Sequence, residues 1–265
     1  MTRVAILGAG GRMGKALIRC AVQFPEIKIA AAIEQPGHPL IGLDAGLAAG
    51  AGALGFVVSD QWQLATSSDV WIDFTFHTAA PEQAARAAEL GKAVVLGTTG
   101  LTEAEMNAVR SSAQRVPIVC SPNMSLGVNL LFTLVENAAR ALGQDYDIEV
   151  VEMHHRHKKD APSGTALALA GRAAAGRRLA LPSVACYGRS GITGERPSDQ
   201  IGIHAVRGGD VVGDHTVIFA TEGERVELSH RASSRDALAR GALRAAVWVQ
   251  GRAPGLYDMK HVLGL

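Results

Sequence analysis

Between Glu149 and Ala166 the chain reads "EVVEMHHRHKKDAPSGTA", with three histidines, one arginine and two lysines in residues 154–159. Imidazole gives or takes a proton near neutrality, and cationic side chains hold anions, so proton transfer beside an anionic ligand is one chemistry open to this cluster. Other uses stay open: a metal site, a nucleic-acid patch, or the solvated strand end that a charge run ordinarily is. On an extended strand His154 and His155 face opposite sides, while His155 and His157 could share one, so a tetrahedral metal site needs a bend and further ligands. No cysteine stands nearby, and no metal is expected. The run lacks interleaved aromatic residues for base stacking, and the chain's formal net charge is only +1, so nucleic acid is not an expected partner.

The uncharged residues that follow narrow the choice. In "DAPSGTA" (160–166), Pro162 and Ser163 suit the cap and first position of a helix, and Gly164 and Thr165 then offer N–H groups and a hydroxyl at its N-terminus. Cations beside a helix N-terminus suit a small-molecule dicarboxylate. In that pocket a histidine of the cluster is the candidate proton donor and Lys158 a candidate anchor for a second carboxylate, with the helix start at Gly164 and Thr165 as a candidate anion binder.

A second constellation opens the chain. "GAGGRMG", Gly8 to Gly14, lies between a short aliphatic run and a segment with helical apolar spacing. Glycine there lets backbone N–H groups approach a pyrophosphate at the helix N-terminus. Gly8, Gly11 and Gly14 fit a G-x-x-G-x-x-G reading, Ala9, Gly10 and Met13 complete the loop, and Arg12 adds a cationic donor. Glu34 follows twenty residues beyond Gly14, where a dinucleotide site places the acid that bonds the adenosine ribose. A carboxylate repels a 2′-phosphate and the next residue is the neutral Gln35, so NADH is expected to be favoured over NADPH. Two further turns, "GTTG" (Gly97, Thr98, Thr99, Gly100) and "SPNM" (Ser121, Pro122, Asn123, Met124), close later strands at the edge where an open parallel sheet holds its ligand.

The elements that must position these residues change character along the chain. Up to Asn123, strand-like runs alternate with helix-length segments, which implies crossover units and a parallel sheet covered on both faces. "DVWIDFTF" (69–76) reads as one such strand, and Thr102 with Glu105 forms a capping-box pattern at a helix start. After Asn123 strands follow strands, as in an open, mainly antiparallel or mixed sheet, and residues 235–249 read as a last helix returning to the first domain. The run from Leu40 to Val58 is long enough to span a bilayer, but Asp44 and five glycines make it a Gly/Ala loop leading into a strand. With 265 residues, 48% of them hydrophobic, the chain can bury a substantial core. Three scattered cysteines, and an N-terminal apolar run too short for a signal peptide, suit a cytoplasmic protein with no membrane partner.

Together "GAGGRMG", "GTTG", "SPNMSLGVN", "HHRHKKDAPSGTA", "RGGDVVGDHTV", "HRASSRDALARGALRAA" and the closing "GLYDMKHVLGL" resemble the 4-hydroxy-tetrahydrodipicolinate (dihydrodipicolinate) reductase family of lysine and diaminopimelate biosynthesis. The resemblance implies an α/β protein: a Rossmann-like doubly wound parallel sheet domain (1–124 and 236–265) for the dinucleotide, plus an α+β domain with an open mixed sheet (125–235) for substrate binding and assembly into a homotetramer. It implies hydride transfer from NADH or NADPH to C4 of a cyclic unsaturated dicarboxylate after loss of the 4-hydroxyl, and a proton from His154 to C3, with Lys158 as a second catalytic residue and His155, Gly164 and Thr165 as binders of a substrate carboxylate. It also implies hinge closure near 123–127 and 233–236, because cofactor and substrate belong to different domains. Gln35 stands where relatives that use both cofactors often have arginine, and Phe76 where a polar or basic residue is common. A nicotinamide-sensing regulatory module and a zinc-dependent dehydrogenase are the alternatives. The first needs no proton donor, and the second needs the histidines as ligands.

Overall fold

The computed structural model describes residues 1–265 and divides into two compact units, Met1–Leu126 with Arg235–Leu265, and Gly127–Ser234. The first crossing falls two residues later than the expected 124/125 boundary, inside a helix rather than before it, and the second falls one residue earlier.

The first unit begins β1 (Thr2–Leu7), α1 (Arg12–Ala21), β2 (Ile27–Ile33), α2 (Ala45–Ala49), β3 (Val58–Ser59), β4 (Val70–Asp73), α3 (Ala80–Glu89), β5 (Ala93–Leu96), α4 (Glu103–Ala113) and β6 (Pro117–Cys120). The second unit holds α5 (from Leu126 to Leu142), β7 (Asp147–His154), α6 (Gly164–Gly176), α7 (Leu181–Val184), β8 (Ala185–Tyr187), β9 (Ile201–Arg207), β10 (Gly213–Thr221) and β11 (Glu224–Ala232). The chain then returns as α8 (Asp236–Val249), β12 (Gly255–Tyr257) and α9 (Met259–Leu263).

All strand pairs of the first unit are parallel, in the order β12-β6-β5-β4-β1-β2-β3. Both faces are apolar because both are covered. Val4, Ile6, Ile72 and Val95 pack toward α1 and α8, while Ala5, Leu7, Trp71 and Val94 pack toward α3 and α4. Strand order reverses at β1, with β2 on one side and β4 on the other, which is the switch point where doubly wound sheets bind ligands. The expected strand over 69–76 stops at Asp73: the chain bends at Thr75, and Asp73 itself caps that bend by accepting the Thr75 N–H at 2.7 Å. The expected loop over 40–58 contains α2, whose start is fixed by Asp44 accepting the N–H groups of Gly46 and Leu47. No helix is long and apolar enough to cross a membrane.

The second unit is a mixed sheet in the order β11-β10-β7-β9-β8, antiparallel across β11-β10-β7 and parallel across β7-β9-β8. Helices α5 and α6 cover one face, where Val135, Leu169, Ala173, Val150, Ile203, Val217 and Phe219 form a single core. Burial alternates along β7, so Ile148, Val150, Glu152 and His154 all point to this covered face. The face is apolar for two positions and then ionisable for two.

Candidate active site

Where β7 turns polar, four hydrogen-bond donors converge on the fully buried Glu152. Its Oε2 lies 2.6 Å from His154 Nδ1 and accepts from Arg207 at 2.8 Å, and its Oε1 accepts from Arg207 and from the Ser163 backbone N–H, both at 2.9 Å. The register explains the convergence: on β9, Arg207 stands beside His154, and on β10, His215 stands beside Glu152. Burial disfavours the Glu152 carboxylate, but Arg207, His154 and the Ser163 amide outweigh it and hold its pKa below the ordinary value. An ionised carboxylate only accepts, so His154 Nδ1 is the donor and Nε2 is the nitrogen left to exchange protons. That nitrogen faces Gly213, where an added Cβ would stand 3.0 Å away.

Ser163 caps α6, its hydroxyl accepting the Ala166 N–H at 3.1 Å and lying 3.1 Å from His215 Nε2. His215 is buried, with its ring edge-on to His154 at 5.1 Å, and burial followed by the His154 charge lowers its pKa to about 4. It is therefore neutral at physiological pH, and its Nε2 shares a hydrogen bond with the Ser163 hydroxyl. Lys158 does not reach toward the pocket as an unengaged cation; its ammonium bonds both oxygens of Asp160 at 2.9 and 3.0 Å, two residues along the same loop. His155 is tied through its backbone to Val211, and its Nδ1 is buried with no hydrogen-bond partner from the chain. Gly164, exposed, and Thr165, half-buried, begin α6. His157 and Lys159 are exposed. No group of three His, Cys, Asp or Glu side chains has the geometry to hold a metal ion.

Sequence reasoning placed His154, His155, Lys158, Gly164 and Thr165 on one short segment, but missed Glu152, Arg207 and His215. The available signal was period two: Glu152 shares a strand face with Ile148, Val150 and His154, and a carboxylate on an apolar face requires partners.

In the first unit a cleft of about 580 Å³ opens at the C-terminal ends of β1, β2 and β4, lined by Gly8, Gly10, Gly11 and Glu34 among others. Gly8 adopts φ +72° and, with Ala9, donates its N–H to Ile33, which folds the loop over the end of β2. Glu34 accepts the Gly10 N–H at 2.8 Å and the Gln35 N–H at 2.9 Å. Gly14 packs so closely that a Cβ there would lie 2.2 Å from Gly8 O and 2.6 Å from Ala9 Cα. Gly14→Ala is accordingly expected to destabilise this unit by about 2–3 kcal/mol and to weaken dinucleotide binding. Denaturation midpoint and NADH fluorescence titration check this, and wild-type values in both would contradict the packing.

The other expected cofactor residues are spread along the same sheet edge. Arg12 is exposed at the first position of α1, Met13 packs partly into the core, and Ala9 is buried. At the end of β5, Thr98 is buried and its hydroxyl bonds Asp73 at 3.3 Å, while Gly97 donates its N–H to the Asp73 carbonyl. Asp73 is buried, and desolvation raises its pKa against the opposing bonds from Thr75 and Thr98. Thr99 is exposed. After β6, Ser121 donates to Asn123 O at 2.8 Å and the Asn123 side chain accepts the Ser125 N–H at 2.9 Å, leaving Pro122 exposed and Met124 buried. The expected loops thus share the edge with the cleft, but only the glycine loop and Glu34 line it. The N-terminus of α1, an acid ending β2 and a cleft at the switch point fit a dinucleotide.

Known proteins match both parts of the chain. Residues 2–124 match the family model described as dihydrodipicolinate reductase, N-terminus, and residues 127–263 the one described as dihydrodipicolinate reductase, C-terminus. Proteins named 4-hydroxy-tetrahydrodipicolinate reductase are similar throughout. The one from Anaeromyxobacter dehalogenans is 52% identical over 100% of this chain and 98% of its own, and the one from Thiobacillus denitrificans 54% identical over 99% and 98%. Among solved structures, the dipicolinate-bound dihydrodipicolinate reductase from Paenisporosarcina sp. TG-14 has the same fold, with a TM-score of 0.76 at 24% identity over 97% of each chain. The chain belongs to the dihydrodipicolinate reductase family.

Proposed function

We propose that the chain reduces 4-hydroxy-tetrahydrodipicolinate to tetrahydrodipicolinate with a reduced nicotinamide dinucleotide, and prefers NADH. The observation that carries the reading is the 2.6 Å contact between His154 and buried Glu152 at the N-terminus of α6, a proton donor fixed beside an anion-binding helix end. The substrate loses its 4-hydroxyl and a C3 proton as water, and the nicotinamide, when bound, would supply a hydride to C4 of the unsaturated ring that remains. The protein's part is then to hold two carboxylates, to orient the ring, and to deliver one proton to the neighbouring carbon.

His154 delivers that proton from Nε2, because Glu152 holds Nδ1. The N-terminal amides of α6 at Gly164 and Thr165, with His155, hold a substrate carboxylate. Lys158 serves the second carboxylate by exchanging its Asp160 partner for the ligand. The exchange costs little because that pair is partly solvated, Asp160 being 63% exposed. Gly8 to Met13 hold the pyrophosphate and Glu34 the ribose, while Gly97 to Thr99 and Ser121 to Met124 flank the nicotinamide. Hydride donor and acceptor are assigned to different units, so turnover requires them to be brought together, with 123–127 and 233–236 as hinges. Homotetramer assembly is supported by the face of the second sheet that α5 and α6 leave uncovered, which carries Val151, Met153 and Ile218.

The test is steady-state turnover at pH 8 of the condensation product of pyruvate and aspartate semialdehyde. The expected kcat/KM is about fivefold higher with NADH than with NADPH, since a 2′-phosphate beside Glu34 costs on the order of 1 kcal/mol. Absence of turnover with either cofactor would overturn the assignment, and a preference for NADPH would overturn the role given to Glu34 and Gln35.

A further inference from the structure

We infer that His38 is a second reader of the adenosine ribose: charged, it supplies the cation that a 2′-phosphate needs, and neutral, it leaves Glu34 to exclude that phosphate. The inference rests on the dinucleotide reading of the cleft. His38 lines the cleft with Glu34 and Gly10. A Cβ on Gly10 would meet His38 Cε1 at 2.4 Å, and both His38 Nε2 and Glu34 Oε2 at 3.0 Å, so imidazole and carboxylate converge over the same glycine. The glycine at position 10 is what leaves room for the ring.

The ring is also oriented. Its Nδ1 accepts the Leu40 N–H at 3.3 Å, which leaves Nε2 as the nitrogen that carries a proton and points to the Gly10–Glu34 corner. Of the cleft-lining side chains, only His38 and Arg86 can be cationic. Arg86 is engaged elsewhere, 3.0 Å from Glu82 and 4.7 Å over the Trp62 ring. Gln35 is neutral. The titratable groups facing His38 across the cleft are Glu34, Glu82 and Arg86. Imidazole changes charge between about pH 5 and 8, so selectivity becomes dependent on pH, with NADPH admitted better on the acid side.

The experiment is equilibrium binding of NADPH and NADH, read by cofactor fluorescence and by quenching of tryptophan emission, at pH 6 and pH 8. Because the 2′-phosphate itself titrates near pH 6, the informative quantity is the effect of substitution at each pH. His38→Gln is expected to weaken NADPH binding about fivefold at pH 6 and less than twofold at pH 8, with NADH affected less than twofold at both. His38→Lys, with a charge that persists, is expected to strengthen NADPH binding about fivefold at pH 8. Equal weakening of both cofactors by His38→Gln, or no gain from His38→Lys, would show that His38 only packs on the loop. Failure of the unsubstituted protein to bind either cofactor would instead refute the dinucleotide reading, and this inference with it.

Discussion

His154→Gln is expected to lower kcat by about a hundredfold to ten-thousandfold while changing KM by less than about threefold. The substitution removes one function and keeps the rest. Glutamine is close to histidine in size, and its amide N–H can still donate to Glu152 Oε2, so the buried carboxylate keeps a partner and the stability of the unit should change little. What it cannot do is give up a proton. The loss corresponds to roughly 3–5 kcal/mol of barrier, the range a positioned general acid contributes. Substrate binding depends on other atoms, the α6 amides and His155, which explains why the effect should fall on kcat. A variant with wild-type kcat would remove His154 from the chemistry, and one with normal kcat but greatly raised KM would make it a carboxylate binder.

The chemistry-bearing segments were legible in sequence for different reasons. The glycine loop and Glu34 could be found because the geometry they satisfy is local: a strand end, a tight turn, a helix start and one acid at the end of the next strand. Ser163 was legible as a cap for the same reason, and Thr102 with Glu105 as a capping box, which the structure closes in both directions. Arg207 and His215 were not legible. They lie more than fifty residues from Glu152 and His154, and only the order β10-β7-β9 brings them together. Lys158 shows the opposite limit: its place near the pocket followed from sequence, but its bond to Asp160 depends on how the 155–160 loop folds back. Composition likewise misjudged residues 40–58, where Asp44 starts a short helix that a glycine-rich run does not advertise.

Glu152→Gln should be nearly as costly to turnover as loss of His154, although Glu152 is a positioning residue. Each oxygen of the wild-type carboxylate receives two donors: His154 Nδ1–H and Arg207 on one, the Ser163 N–H and Arg207 on the other. A glutamine amide cannot replace it in either orientation. With its NH₂ toward Ser163 it meets two donors. With its NH₂ toward His154 it meets Arg207 and forces Nδ1 to become the acceptor, so the proton moves to Nε2 in the neutral ring and Nδ1 loses the carboxylate that stabilises the charged form. The expected result is a fall in kcat of at least about a hundredfold, with the neutral His154 tautomer inverted in its imidazole ¹⁵N spectrum. A purely structural role would not move that tautomer. Stability should fall by roughly 2 kcal/mol near neutrality, because half-buried Arg207 and the Ser163 N–H lose the buried anion they share. The dependence on pH follows from the lowered pKa of Glu152. Its contribution is fully present above the ordinary carboxylate value of about 4.3 and is lost as pH falls through the lower folded value, so wild-type and variant denaturation midpoints should converge in acid. Midpoints separated by a constant amount down to about pH 2 would mean that the carboxylate's charge is not what Arg207 and His154 require.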